Sequence, residues 1–223
     1  YNFTVENDGQ IVEFNVVNNI IQGKLKISKT DVKNNPIAGV KFDILNSDKQ
    51  VIQTITTDEN GFAITDTLSK GKYYYKETKT LDQYVLDETE HEFNIDSETD
   101  FVEAKVSNKL KAAKLIINKF SKEDNTPLKD IRFEIIDSNN NIIQSIVTDE
   151  NGRAQSDDLN YGKYYYKEVS SPDNYVLDSS MYEFEIKDNG VNVEKNVYNV
   201  KKKLPVTGSI FSTNVIIVII VTI

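Results

Sequence analysis

The heptapeptide GKYYYKE at Gly71–Glu77 recurs letter for letter at Gly162–Glu168. Two further pairs keep the same spacing of 91 residues: TDENG begins at Thr57 and Thr148, and YVLD begins at Tyr84 and Tyr175. A fixed period of this size indicates two tandem domains, since solenoid repeats are usually about 20–50 residues long. A function common to both copies must therefore lie on residues that occur in both.

Each copy has the sequence pattern of a β domain. Short runs rich in Val, Ile, Tyr and Phe alternate with polar residues and are separated by Asn, Asp and Gly, which is typical of strands joined by turns. About seven such strands in one copy favour a β-sandwich or a small barrel. In the first copy we predict strands at 24–29, 41–45, 51–56, 72–78, 91–95 and 101–108, and in both copies a hairpin turn, at Asn60-Gly61 and Asn151-Gly152.

The repeat divides the chain into four parts. We predict domains at 24–109 and 113–200, joined by a linker so short that the two would form a stiff rod. Residues 1–20 align with the end of the second copy, so we interpret them as the last hairpin of a truncated upstream repeat. Residues 201–223 form a separate C-terminal segment, and we expect the whole to be a fragment of a longer exported protein.

Composition excludes several classes of function. The net charge of −9 argues against nucleic-acid binding, which requires a basic surface. The chain has no cysteine, and therefore no disulfide and no cysteine-based zinc site. A single histidine, His91, disfavours a catalytic triad. Because a glycine-rich phosphate loop and a metal-ligand motif are also lacking, we expect no cofactor, no metal and no enzyme that turns over.

Three polar residues of each copy are predicted to face the core. Successive side chains of a strand point to opposite faces of the sheet, so Lys29 shares the apolar face of its strand with Leu25 and Ile27. The same argument applied to the other strands selects Lys29, Glu77 and Asn108 in the first copy and Lys119, Glu168 and Asn199 in the second. Buried charges are rare unless they are paired, so these residues should lie together.

Two interpretations of each trio follow from the residues alone. One is a buried salt bridge capped by an asparagine. The other is a reaction, because burial lowers the pKa of a lysine and leaves a neutral amine that is a nucleophile. The amine would attack the asparagine carboxamide while the glutamate polarises the carbonyl and relays protons, and ammonia would leave. Fixed proximity is worth roughly 7–11 kcal/mol of the barrier.

The motifs around these residues resemble a known family. KISKTD at Lys26–Asp31, YYYKE at Tyr73–Glu77 and VSNK at Val106–Lys109 are similar to SpaA-type, prealbumin-like repeats, relatives of the B-type repeats of collagen adhesins in Gram-positive surface proteins and pilins. The resemblance covers about residues 24–200, together with 1–20. It implies an all-β fold of tandem prealbumin-like (Ig-like) β-sandwich domains. It also implies an autocatalytic isopeptide bond within each domain.

The resemblance implies a role for each residue of the trios. Lys29 and Lys119 would be the nucleophiles, Glu77 and Glu168 the catalysts, and Asn108 and Asn199 the acceptors. Asn18 would be the acceptor of the upstream domain, whose lysine this chain lacks. The second copy departs from the pattern, because it has KFSKED where the first has KTD.

A five-residue motif follows the second copy. It consists of Leu204, Pro205, Val206, Thr207 and Gly208 and precedes the apolar run 210–223. LPVTG in this context resembles the LPxTG sorting signal, which sortase cleaves between Thr and Gly before joining Thr207 to cell-wall peptidoglycan or to a pilin lysine. The apolar run is shorter than the ~20 residues that span a bilayer, so we expect the signal to be truncated.

The combined features imply an extracellular protein, covalently anchored to the Gram-positive cell wall, whose partners are sortase and peptidoglycan. Two functions remain open. In the first, the stapled domains are a stalk that presents a distal adhesive region to a host extracellular ligand. In the second, the chain is part of a pilin subunit, or its repeats bind a host ligand directly.

Overall fold

The computed structural model describes residues 2–203, and all of the regular structure in that range is β. The first repeat contains β1 (Gln22–Gly23), β2 (Leu25–Asp31), β3 (Lys41–Leu45), β4 (Val51–Thr56), β5 (Phe62–Ile64), β6 (Leu68–Ser69), β7 (Gly71–Lys79), β8 (Glu90–Ile95) and β9 (Val102–Asn108). The second contains β10 (Ala112–Ala113), β11 (Leu115–Ser121), β12 (Arg132–Asp137), β13 (Ile142–Val147), β14 (Arg153–Gln155), β15 (Leu159–Asn160), β16 (Gly162–Glu168), β17 (Met181–Ile186) and β18 (Val193–Asn199).

The chain forms two compact units. The first comprises the described residues up to Ala113, with Leu159–Gly162 and Ile186–Val191. The second comprises Lys114–Asp158, Lys163–Glu185 and the described residues from Asn192 onward. Residues 2–203 contain no helix, so this part of the chain has no apolar helix that could cross a membrane.

Each repeat has two main sheets with the same topology. In the first repeat the strand orders are β4-β3-β7-β8 and β5-β2-β9, and in the second they are β13-β12-β16-β17 and β14-β11-β18. Strands β2 and β9 pair in parallel, from Leu25 opposite Val102 to Asp31 opposite Asn108. Strands β11 and β18 pair in the same way. The first and last long strands of each repeat are therefore neighbours, and their carboxyl ends meet.

Apolar side chains from both sheets fill the space between them. In the first repeat Leu25 and Ile27 of β2 are fully buried, and Phe42 and Ile44 of β3 pack in the same core. This core confirms the alternation that the sequence predicts for β2. The prediction of an all-β fold built from two tandem domains is also confirmed, because both repeats have these sheets.

The predicted strands differ from the observed ones mainly at their ends. Two predictions, 41–45 and 51–56, coincide with β3 and β4, and the other four differ from the observed strands by one or two residues at one or both ends. Three short strands, β1, β5 and β6, were not predicted. Each has two or three residues, which is too few to display an alternating pattern.

The predicted hairpin turn at Asn60-Gly61 is wrong. Strand β4 pairs with β3 whereas β5 pairs with β2, so the turn connects two sheets rather than two paired strands. Only the glycine has a positive φ, +77°, whereas a type I′ turn requires it at both central residues. The Asp58 carboxylate instead accepts hydrogen bonds from two backbone N–H groups of the turn. The turn at Asn151-Gly152 is of the same kind.

The N-terminal segment has a turn but no strand between residues 2 and 21. The backbone N–H of Gln10 donates to the Asn7 carbonyl at 3.2 Å. The rings of Phe3 and Phe14 meet edge to face, with centroids 5.5 Å apart. The turn and the ring contact therefore agree with a chain that folds back within the predicted hairpin at 1–20. The assignment of this hairpin to an upstream repeat stays a prediction.

Candidate cross-linking site

The predicted trio of the first repeat meets between the two sheets. Lys29 lies on β2 and Asn108 ends the neighbouring strand β9, while Glu77 reaches the site from β7 in the opposite sheet. All three are buried, with exposed fractions of 0%, 1% and 2% for Lys29, Asn108 and Glu77. The predicted inward orientation is thus observed, and the fold brings three strands that are distant in sequence to one point.

The three side chains are in direct contact. The Lys29 amine donates to Oδ1 of Asn108 and lies 2.8 Å from Oε2 of Glu77. Nδ2 of Asn108 donates to Oε1 of Glu77 at 2.6 Å. The carboxylate therefore bridges the two nitrogens, one with each oxygen.

The second repeat reproduces this arrangement. The Lys119 amine lies 2.6 Å from Oε2 of Glu168 and 2.5 Å from Oδ1 of Asn199. Nδ2 of Asn199 donates to Oε1 of Glu168 at 2.6 Å. The exposed fractions of the three residues are 0%, 2% and 1%. The KFSKED sequence, whose first three residues belong to β11, therefore leaves the position of Lys119 unchanged.

Burial lowers the pKa of Lys29 below its ordinary value, although the Glu77 carboxylate acts in the opposite direction. Burial has the same effect on the pKa of Lys119, against the opposing effect of Glu168. Both lysines are thus shifted toward the neutral form, which is the nucleophile.

A glycine supports the backbone of each lysine. Gly61 accepts a hydrogen bond from the Lys29 N–H at 2.7 Å, and a Cβ at this position would collide with the Lys29 carbonyl oxygen. In the second repeat a Cβ on Gly152 would lie 2.5 Å from the Lys119 carbonyl oxygen. Glycine is required here because of this close approach and the positive φ. The glycine of the sequence motif TDENG therefore positions the strand that carries the lysine.

Sequence reasoning missed one further group in each site. Thr80 accepts a hydrogen bond from Nδ2 of Asn108 at 2.9 Å, and Ser171 accepts one from Nδ2 of Asn199 at 3.0 Å. A signal was present in the sequence, because a hydroxyl residue follows each glutamate by three positions. It was missed because the argument from alternating side chains applies only within a strand, and both hydroxyl residues follow the end of one.

The remaining predicted site residues are not part of these clusters. Asn18 is exposed in the N-terminal segment. The motif Leu204–Gly208 and the apolar run after it lie outside the described residues. Within residues 2–203, no group of three or more His, Asp or Glu side chains is arranged to hold a metal ion.

Comparison with known proteins identifies the domains. The family model SpaA, described as a prealbumin-like fold domain, matches residues 23–110 and 113–201. The solved structure of the Bacillus anthracis TIE protein is 33% identical with a TM-score of 0.69, covering 81% of this chain and 35% of that one. The Trypsin-resistant surface T6 protein of Streptococcus pyogenes serotype M6 is 31% identical over 78 residues, which are 35% of this chain and 14% of that protein.

The chain thus spans about a third of the first relative and about a seventh of the second. The likeness therefore describes the domains rather than the whole of either protein. The two matched ranges account for most of the 223 residues, and we conclude that this chain belongs to the SpaA family of prealbumin-like fold domains.

Proposed function

We propose that each repeat closes an isopeptide bond between its lysine and its asparagine, Lys29 to Asn108 and Lys119 to Asn199. We further propose that the repeats are a stalk of a surface protein anchored to the cell wall. The observation that carries the first proposal is the contact of a buried lysine, glutamate and asparagine in both repeats.

The bond would form by one substitution at the carboxamide carbon. The neutral amine of Lys29 attacks Cγ of Asn108, the Nζ–Cγ bond forms and the Cγ–Nδ2 bond breaks. Before the attack, the Glu77 carboxylate takes one proton from the Lys29 ammonium, which leaves the neutral amine. Glu77 then gives this proton to Nδ2, which leaves as ammonia, and takes the second proton that Nζ releases as the new amide forms. The distances of 2.8 and 2.6 Å from the two carboxylate oxygens to the two nitrogens support this relay. Because both oxygens contact nitrogens, the geometry favours proton relay over polarisation of the carbonyl by the glutamate.

The alternative interpretation, a permanent salt bridge, explains less of the site. A buried ion pair is often no more stabilising than apolar residues of similar volume. An asparagine cap would make the same two amide contacts, from its oxygen to the amine and from its nitrogen to the carboxylate. A permanent ion pair, however, requires a charged lysine, whereas burial lowers the pKa of Lys119 and so favours its neutral form. In a reaction, by contrast, each of these contacts has a role, since it joins the nucleophile, the acceptor and the proton carrier.

The position of the bond suits a load-bearing stalk. It would join β2 to β9, the first and last long strands of the repeat, and β11 to β18 in the second repeat. A pull applied to the chain on either side would pass through the bond, so that the residues between Lys29 and Asn108 would carry little of it. The repeat would then resist extension as long as the covalent bond holds. Such a segment would hold a distal adhesive region, and its host ligand, away from the cell.

We propose that the stalk is attached through the LPVTG motif. Sortase would cleave after Thr207 and join this residue to peptidoglycan, as the resemblance of the motif to the LPxTG signal implies. The surface T6 protein is a relative of the repeats, which supports an extracellular location. The repeats would then be the part of the protein next to the wall.

Peptide mapping tests the proposed bonds. A digest of the wild-type protein should contain a branched peptide that joins Lys29 to Asn108 and another that joins Lys119 to Asn199. In the variant Lys29→Met the first branched peptide should vanish, because the amine is lost, while the second remains as an internal control. Linear peptides alone from folded wild-type protein would refute the proposal.

A further inference from the structure

Each site contains a hydroxyl group whose role the proposed reaction does not yet include. Oγ1 of Thr80 lies 2.9 Å from Nδ2 of Asn108, and Oγ of Ser171 lies 3.0 Å from Nδ2 of Asn199. Both hydroxyl residues are half-buried, whereas the lysine, glutamate and asparagine of each site are buried. In both repeats the hydroxyl accepts a hydrogen bond from the nitrogen that would leave.

These hydroxyls complete the hydrogen bonding of the acceptor amide. A carboxamide nitrogen carries two N–H donors, and both lie in the plane of the amide. Oε1 of Glu77 accepts one of them at 2.6 Å and Oγ1 of Thr80 accepts the other. Two acceptors in fixed positions determine the orientation of that plane. They consequently determine the face of Cγ that an attacking amine can reach.

We propose that Thr80 and Ser171 are catalytic residues of the cross-linking reaction. Each hydroxyl orients the acceptor carboxamide for attack and holds the leaving nitrogen on the half-exposed side of the site, where ammonia can depart. This inference rests on the proposed isopeptide bond, since it assigns a role within that reaction. The expected contribution is one of orientation, which fixes the reacting atoms before they meet.

A purely structural role is the rival explanation. A buried N–H needs an acceptor in any folded protein, and a hydroxyl could serve that need alone. The two roles differ in what they predict for substitutions. A structural hydroxyl affects the stability of its repeat, whereas an orienting hydroxyl affects the rate at which folded protein becomes cross-linked.

The rate of bond formation in each repeat distinguishes them. The full chain is synthesised in a short cell-free pulse, samples are quenched in acidic denaturant at successive times, and the two branched peptides are quantified after digestion. Thr80→Val keeps the shape of the side chain and removes the hydroxyl, while Thr80→Ser keeps the hydroxyl. Ser171→Ala and Ser171→Thr are the corresponding pair in the second repeat. The unmodified repeat of each variant is the internal control.

We expect Thr80→Val to slow the Lys29–Asn108 bond by about tenfold or more, with the Lys119–Asn199 bond forming at its normal rate. Thr80→Ser should be faster than Thr80→Val. Wild-type rates in Thr80→Val, or equal slowing by both substitutions, would overturn the inference. If the circular dichroism spectrum shows that Thr80→Val does not fold, Ser171→Ala provides the test instead. The rate of the Lys119–Asn199 bond is then compared with that of the wild type and of Ser171→Thr. Wild-type protein without branched peptides would refute the proposed bonds themselves.

Discussion

Replacement of Glu77 by alanine should leave Lys29 and Asn108 unjoined, while Lys119 and Asn199 still react. The reason is that the Glu77 carboxylate contacts both reacting nitrogens, and the corresponding glutamate of the second repeat contacts only its own pair. Glu168→Ala should have the converse effect. The branched peptides of the two repeats, quantified in the same digest, report both outcomes.

Loss of the bond should also reduce the stability of its repeat by up to about 4–5 kcal/mol. This estimate follows the chain-entropy argument for a disulfide that closes a loop of about 80 residues. Chemical denaturation followed by hydrogen exchange, with peptides assigned to each repeat, measures the effect domain by domain. The decrease should be confined to the repeat that carries the substitution.

A control is needed because Glu77→Ala also leaves the buried Lys29 without its partner. The double variant Lys29→Met/Glu77→Leu removes the bond and the charges together, and apolar replacement of a buried pair is often neutral. Its stability relative to the wild type therefore measures the cross-link more directly. Formation of the Lys29–Asn108 bond at the normal rate in Glu77→Ala would show that the proposed proton relay is wrong.

Substitution of Thr207 by alanine should release the protein into the culture medium. The full-length protein is to be produced in a Gram-positive host that has a sortase. Since sortase would join Thr207 itself to the wall, its loss abolishes the attachment. Deletion of Leu204–Gly208 should have the same effect, whereas Val206→Ala, at the variable position of the motif, is the matched control and should stay anchored.

Muramidase digestion provides the positive result for the wild type. It should free a species whose last protein residue is Thr207 and which carries a peptidoglycan fragment. Recovery of wild-type protein in the detergent-soluble membrane fraction, with the residues beyond Gly208 intact, would mean that sortase does not process the motif.

The orientation of the site residues was predictable because strand periodicity is regular. Lys29 follows Leu25 and Ile27 on one face of β2, and an exact period of two places it in the core. The same residue types recur 90 positions later for the lysine and 91 positions later for the glutamate and the asparagine, which separated them from other polar residues of the strands. The alternation of side chains predicts which face of its own strand a residue occupies, but it does not predict which strands lie next to each other. The contact of Lys29 with Glu77 across the two sheets appeared only in the fold.

The features that the sequence did not predict lie outside the strands, where side chains do not alternate between two faces in a regular way. Thr80 follows the end of β7, and its contact with Asn108 depends on the path of the chain after that strand. Gly61 was assigned to a hairpin, since Asn-Gly favours such turns, but its function depends on the approach of the Lys29 backbone. Both are tertiary contacts between segments that are distant in sequence, and local propensity contains no information about them.

The mass of the intact wild-type chain under denaturing conditions tests the central claim most directly. Each bond releases one ammonia when an amine displaces the nitrogen of a carboxamide, so two bonds lower the mass by about 34 Da, or about 17 Da each. The account predicts this deficit in the wild type and half of it in Lys29→Met, relative to the mass that each sequence specifies. A wild-type mass equal to that of the uncross-linked chain would contradict it.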